Sequence, residues 1–178
     1  MRGIFVRQLK FLKKVLFLLP LVALASDPSS AASVRRSADH GFAGYSVPLY
    51  RGKIHLPYFS GSQRDYSEFR SRLLDSARSG VAVGGKYAMA EWGCGTGCVM
   101  FHLIDLTKGT IIELIGGEDY PYLRASYRPD SRLMKFQYQG ESGSQPITCH
   151  LETFLIADDN VKLTSHRQFK VSADECPE

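Results

Sequence analysis

Residues 86–115 read KYAMAEWGCGTGCVMFHLIDLTKGTIIELI, three short apolar runs separated by two glycine-bearing breaks. The runs Lys86 to Trp92, Val99 to Leu106 and Thr110 to Ile115 are too short for ordinary helices and are bounded by turn residues, which predicts β-strands. Thr107-Lys108-Gly109 joins the second and third, and Gly109 can take the positive φ of a tight hairpin loop. Downstream the device repeats. Strands are expected at Tyr122 to Tyr127 and Leu133 to Tyr138, flanking Arg128-Pro129-Asp130-Ser131-Arg132. There Pro129 presets the φ of a turn's second position, and Asp130 can bond its own backbone. A last pair, Thr148 to Ala157 and Val161 to His166, meets at Asp158-Asp159-Asn160. Upstream a single helix is expected: Asp65 and Glu68 form a capping-box start, Tyr66, Phe69, Leu73 and Ala77 recur at helical spacing, and Gly80 ends it. Its other face, with Arg70, Arg72, Asp75 and Arg78, reads as solvated. The fold class is therefore mainly β with one helix (α+β), a compact antiparallel sheet with an amphipathic helix packed on it. Propeller-like blades are the minority alternative, because a strand, Pro-Asp turn and strand also occur in propellers, but no repeat of blade length is visible.

The first 25 residues carry five cations (Arg2, Arg7, Lys10, Lys13, Lys14) and no acid, then an apolar run from Val15 that ends in Ala23-Leu24-Ala25. This is the pattern of a signal peptide, 1–25, cleaved after Ala25. The run falls short of the ~20 apolar residues that span a bilayer, so no stable membrane anchor is expected after cleavage. Residues 26–44, rich in Ser, Ala, Asp and Gly, read as a flexible leader, and 45–178 as a single domain. A second Ser- and Gly-rich stretch, Gly140 to Pro146, reads as a surface loop. Losing the signal takes 22 Lys and Arg to 17, against 18 Asp and Glu. The basic balance thus belongs to the signal, which argues against nucleic acid as a partner.

All four cysteines, Cys94, Cys98, Cys149 and Cys176, lie beyond the export signal, where thiols oxidise. In Trp92-Gly93-Cys94-Gly95-Thr96-Gly97-Cys98, the glycines Gly93, Gly95 and Gly97 let the chain fold back far enough to bridge Cys94 to Cys98, with Trp92 packed beneath the small ring. Cys149 and Cys176 would then tie the tail to the penultimate strand, although four cysteines allow three pairings. A redox dithiol usually has two intervening residues. A metal site on Cys94, Cys98 and His102 lacks a local fourth ligand, so no metal is expected. The glycines lack the GK[ST] and strand-then-helix context of a phosphate loop, so no cofactor is expected either.

No serine sits in G-x-S-x-G, and His40, His55, His102, His150 and His166 are scattered. The expected function is a non-enzymatic binding or inhibitor-type protein that presents disulfide-pinned loops to a protein partner. Tyr45, Tyr50, Tyr58, Phe59, Tyr120 and Tyr122 in or beside loops would supply anchors. The alternative is an envelope hydrolase or metal-dependent enzyme using His102 or His150 with nearby carboxylates such as Asp105 and Glu113.

Phe69-Arg70-Ser71-Arg72-Leu73-Leu74, Gly85-Lys86-Tyr87, the Trp92–Cys98 motif and Tyr127-Arg128-Pro129-Asp130-Ser131-Arg132-Leu133 together resemble a family of small secreted bacterial proteins marked by W-G-C-G-[TS]-x-C. The likeness covers about the middle half of the mature chain. It implies a bacterial envelope location, periplasmic or secreted, with an envelope protein as partner, and it implies no activity. The Asn-Phe-Ala-Gly-His-Tyr box of that family corresponds to Val81 to Tyr87, which lacks the histidine.

Overall fold

Alternating side chains along residues 87–92 face two different layers, and this division organises the molecule. The computed structural model describes residues 41–140, 146–157, 160–172 and 176–177. The predicted signal peptide, most of the leader, the interior of the Gly140–Pro146 loop and Asp158-Asp159 lie outside the described residues.

Seven strands form two antiparallel sheets. The first contains β1 (Tyr87–Gly95), β2 (Cys98–Asp105) and β3 (Thr110–Gly116), and the second β4 (Arg124–Tyr127), β5 (Leu133–Gln139), β6 (Ile147–Ala157) and β7 (Asn160–Val171), each in sequential order. Each strand matches an expected one, and the fold is mainly antiparallel β with a single helix. Among the described residues there are two sheets instead of one, and they form neither a barrel nor a propeller. On one face of the first sheet Tyr87, Met89, Phe101 and Leu103 pack with Met134, Phe136 and Ile156 of the second. On its other face Ala88, Ala90, Trp92, Ile104, Leu106 and Ile111 pack with Leu73 and Ala77 of the helix α1 (Arg70–Arg78). The layers run helix, sheet, sheet. Ala88 and Ala90 are fully buried and small, which lets the helix lie close to β1.

The expected capping box does not form. Residues Gly61–Phe69 are a 3-10 helix, and α1 begins only at Arg70. Side chains three apart align in a 3-10 helix, which puts Gln63, Tyr66 and Phe69 in one row over the first sheet. Gln63 is buried and its Oε1 accepts the Ile111 N–H at 2.6 Å, Tyr66 meets His102 edge-on, and Phe69 stacks on Trp92 at 4.8 Å. Tertiary partners at every third residue thus outweigh the local preference for a capped α-helix. Gly80, at φ 89, closes the helical segment as expected.

The Pro129-Asp130 turn is a hub. Ser131 N–H donates to the Arg128 carbonyl, and both Nε and Nη2 of Arg128 donate to the Asp130 carboxylate at 3.0 Å. Gly85 N–H bonds the Pro129 carbonyl and Gly84 N–H the Ser131 carbonyl. A Cβ on Gly85, whose φ is 78, would stand 2.5 Å from the Pro48 carbonyl oxygen, so only glycine serves there. The extended segment before the 3-10 helix is strapped to this body through Val47, Tyr50 and His55, whose N–H groups reach the carbonyls of Asp130, Gly85 and Leu106. Phe42 is buried, and its carbonyl accepts the Ser131 hydroxyl at 2.8 Å. The folded body therefore takes in Gly41 to Gly44, which the sequence pattern assigns to the leader. One buried phenylalanine in a polar stretch is too weak a signal to mark the boundary.

Candidate functional site at the disulfide-closed hairpin tip

Cys94 and Cys98 are bridged across the β1–β2 hairpin with Cα atoms 5.1 Å apart, and Cys149 and Cys176 are bridged at 5.7 Å. Both pairings agree with expectation, and among the described residues no cysteine is free. Gly95 and Gly97 take φ of 149 and 72, values closed to other residues without strain. Gly93 has ordinary backbone and only the Cys98 carbonyl nearby, at 3.8 Å from a Cβ position, so it is not required in the way its neighbours are. Trp92 does not lie beneath the ring. It faces α1, stacked between Phe69 and His102 at 4.8 and 4.7 Å, because its place on β1 puts it on the helix side of the sheet.

A second loop is fastened to this tip. Tyr122 N–H donates to the Gly97 carbonyl at 2.8 Å, and the Tyr122 ring lies 3.7 Å from where a Gly97 Cβ would stand. Gly117 N–H bonds the Val99 carbonyl, and Gln139 N–H bonds that of Pro121. Among the described residues Tyr122 is the one non-glycine at positive φ, 57, yet it is 51% exposed. A bulky residue held there costs roughly 1–2 kcal/mol, a strain that surrounding contacts must sustain. The tip therefore offers exposed Gly93, Cys94, Gly95 and Thr96 beside a presented tyrosine ring. Of the other loop aromatics, Tyr45 and Tyr58 are exposed, whereas Tyr50, Phe59 and Tyr120 are half-buried. Leu49, Ile54 and Leu56 along the strap are also exposed. Sequence reasoning passed over these three, because apolar residues without period in an extended segment give no signal of facing water.

His102 and His150, both proposed for an enzymatic site, lie in different sheets. His102, on β2, is 2% exposed, meets Tyr66 of the 3-10 helix edge-on, and its Nδ1 has no hydrogen-bond partner. Burial pushes its pKa down, opposed by Glu113, its cross-strand neighbour on β3. Asp105, three residues along, faces the opposite way and is engaged elsewhere: Oδ2 accepts Lys86 Nζ at 2.8 Å, and Oδ1 accepts the N–H and hydroxyl of Thr107. It pins the Thr107–Gly109 turn, in which Gly109 has φ 74. His150 lies in the other sheet, stacked on Tyr138 at 4.7 Å with its Nδ1 3.0 Å from His166 Nε2. Burial and then His166 lower its pKa, and Glu152 opposes them. Glu152 itself accepts the Tyr138 hydroxyl at 3.0 Å. Among the described residues no three metal-ligating side chains converge, and no helix is long and apolar enough to cross a membrane. No protein-family model, curated protein or solved structure matches this chain.

Proposed function

We propose that the protein is an exported, non-enzymatic binding or inhibitor-type module of the bacterial envelope, periplasmic or secreted, whose hairpin tip contacts a protein partner. The observation that carries this reading is Tyr122: a half-exposed aromatic in a strained backbone, braced by a covalently closed loop. Rigid aromatic anchors contribute disproportionately at interfaces, because little conformational freedom is lost when they dock. Disulfides persist in oxidising compartments, in line with export. The test is capture from envelope extract with the oxidised, tagged protein and its Tyr122→Ala variant. A stoichiometric protein retained by the former and lost by the latter supports the reading. Absence of any such protein, or equal retention by both, refutes it.

A further inference from the structure

Strands β6 and β7 bring two histidines together on the face of the second sheet that carries Phe136 and Tyr138. His150 stands opposite Gln168 and Glu152 opposite His166, so the two imidazoles are diagonal neighbours across the pair. His150 Nδ1 lies 3.0 Å from His166 Nε2, and Gln168 Nε2 is 3.3 Å from the same Nδ1. Tyr138, opposite His150 on β5, stacks on its ring at 4.7 Å. Glu152 is 9% exposed and accepts the Tyr138 hydroxyl at 3.0 Å.

We propose that His150 and His166 form a two-histidine chelate for a divalent first-row transition-metal ion, Cu(II) above all, in an exchangeable site completed by water. Imidazole nitrogens sit roughly 2.0–2.1 Å from such an ion, so two of them at adjacent corners of a square or a tetrahedron stand about 2.8–3.4 Å apart. The observed separation is 3.0 Å. Without an ion the two facing nitrogens share one proton, and a second proton sets two positive rings side by side. A metal ion takes the place of that proton and uses both lone pairs. Imidazole donors suit copper, nickel and zinc rather than calcium or magnesium, and Cu(II) heads the affinity order.

The surroundings prepare the pair for a cation. Ligating imidazoles must be neutral, and burial and then His166 lower the His150 pKa, with Glu152 opposing them. Glu152 sets a carboxylate beside the place where positive charge would arrive. The Tyr138 hydroxyl fixes that carboxylate and the Tyr138 ring fixes the plane of His150, the orienting role that outer groups play around metal ligands. His166 and Gln168 are exposed on the edge strand β7, so the remaining corners open to water, and a turn of the Gln168 amide brings its oxygen toward the ion. Among the described residues no third histidine, cysteine or carboxylate completes the set, which makes this a two-point clip between β6 and β7. It is independent of the hairpin-tip reading.

Calorimetric titration of the oxidised, untagged, metal-stripped protein with Cu(II) tests the proposal, with Mg(II) as comparator and electron paramagnetic resonance to read the ligands. Saturable one-to-one copper binding with nitrogen hyperfine splitting is expected at pH 7.5. Affinity should fall about tenfold or more in His166→Gln and in His150→Gln, and in the wild type as the pH is lowered to 5.5, where imidazoles take up protons. His166 is exposed, so its variant should keep the wild-type melting curve without metal, whereas added Cu(II) should raise the melting temperature of the wild type alone. Absence of saturable copper binding overturns the proposal, as does binding equally tight in both variants. Nitrogen splitting unchanged by His166→Gln would assign the copper to other donors, and Mg(II) binding as tightly as Cu(II) would dismiss imidazole ligation; either result also overturns it.

Discussion

Asp105 shows how one side chain can secure a turn and two strands. Its carboxylate is 1% exposed, and it is satisfied by Lys86 and Thr107. Asp105→Asn removes the buried carboxylate charge that accepts from Lys86 and Thr107 and should cost about 2–3 kcal/mol in urea unfolding at pH 7. Burial alone would raise its pKa from 3.8, but the bonds from Lys86 and Thr107 outweigh burial and hold it lower. Its contribution is therefore complete above the ordinary carboxylate value and lost as pH falls through the depressed one, so wild type and variant should converge in acid. His102 works in the same sense for a different reason. Burial holds its pKa below 6.5, so the unfolded chain takes up the proton first and stability drops as pH falls below 6.5. His102→Phe should change stability at pH 8 by no more than about 1 kcal/mol, since it removes a buried Nδ1 that has no partner. It should also flatten the pH 5–6.5 slope, and a slope identical to wild type would contradict this account. Tyr122→Gly exchanges ring contact for relief of the φ 57 backbone, so its thermal stability should stay within about 1 kcal/mol of wild type.

Between elements, the two disulfides differ in the loop that each closes. Their sequence separations are 4 and 27 residues. Chain-entropy reasoning then makes Cys94→Ser with Cys98→Ser cost about 2 kcal/mol, and Cys149→Ser with Cys176→Ser about 3.5 kcal/mol. Denaturant unfolding of the two double variants should preserve that order, and the reverse order would show that tip packing outweighs loop closure. The hairpins were legible because turn residues and short apolar runs are local signals. Lys86 to Trp92 against Tyr87–Gly95 and Leu133 to Tyr138 against Leu133–Gln139 differ only at the ends. The sequence pattern ends β7 at His166, five residues before its end at Val171, because an exposed edge strand need not alternate apolar and polar residues. The 3-10 helix escapes the sequence pattern because Gln63, Tyr66 and Phe69 answer to partners on β3, β2 and β1 respectively, which local spacing cannot reveal.

Across the whole chain, mass spectrometry of the exported protein should show cleavage after Ala25 and, on reduction, a gain of four hydrogens for the two bridges. An uncut amino terminus would place the chain outside the predicted export route. Strand and turn chemistry, cysteine number and the amino-terminal charge pattern are properties of neighbouring residues, so the antiparallel β class, the hairpins and the expected staples could be read from order alone. Which face of β1 meets the helix, the division into two sheets, and the gathering of Arg124, Lys135 and Arg167 on one face of the second sheet were settled only by tertiary packing. These features join residues far apart in the chain, and their arrangement is chosen by burying two apolar faces at once, a condition that no local window of sequence contains.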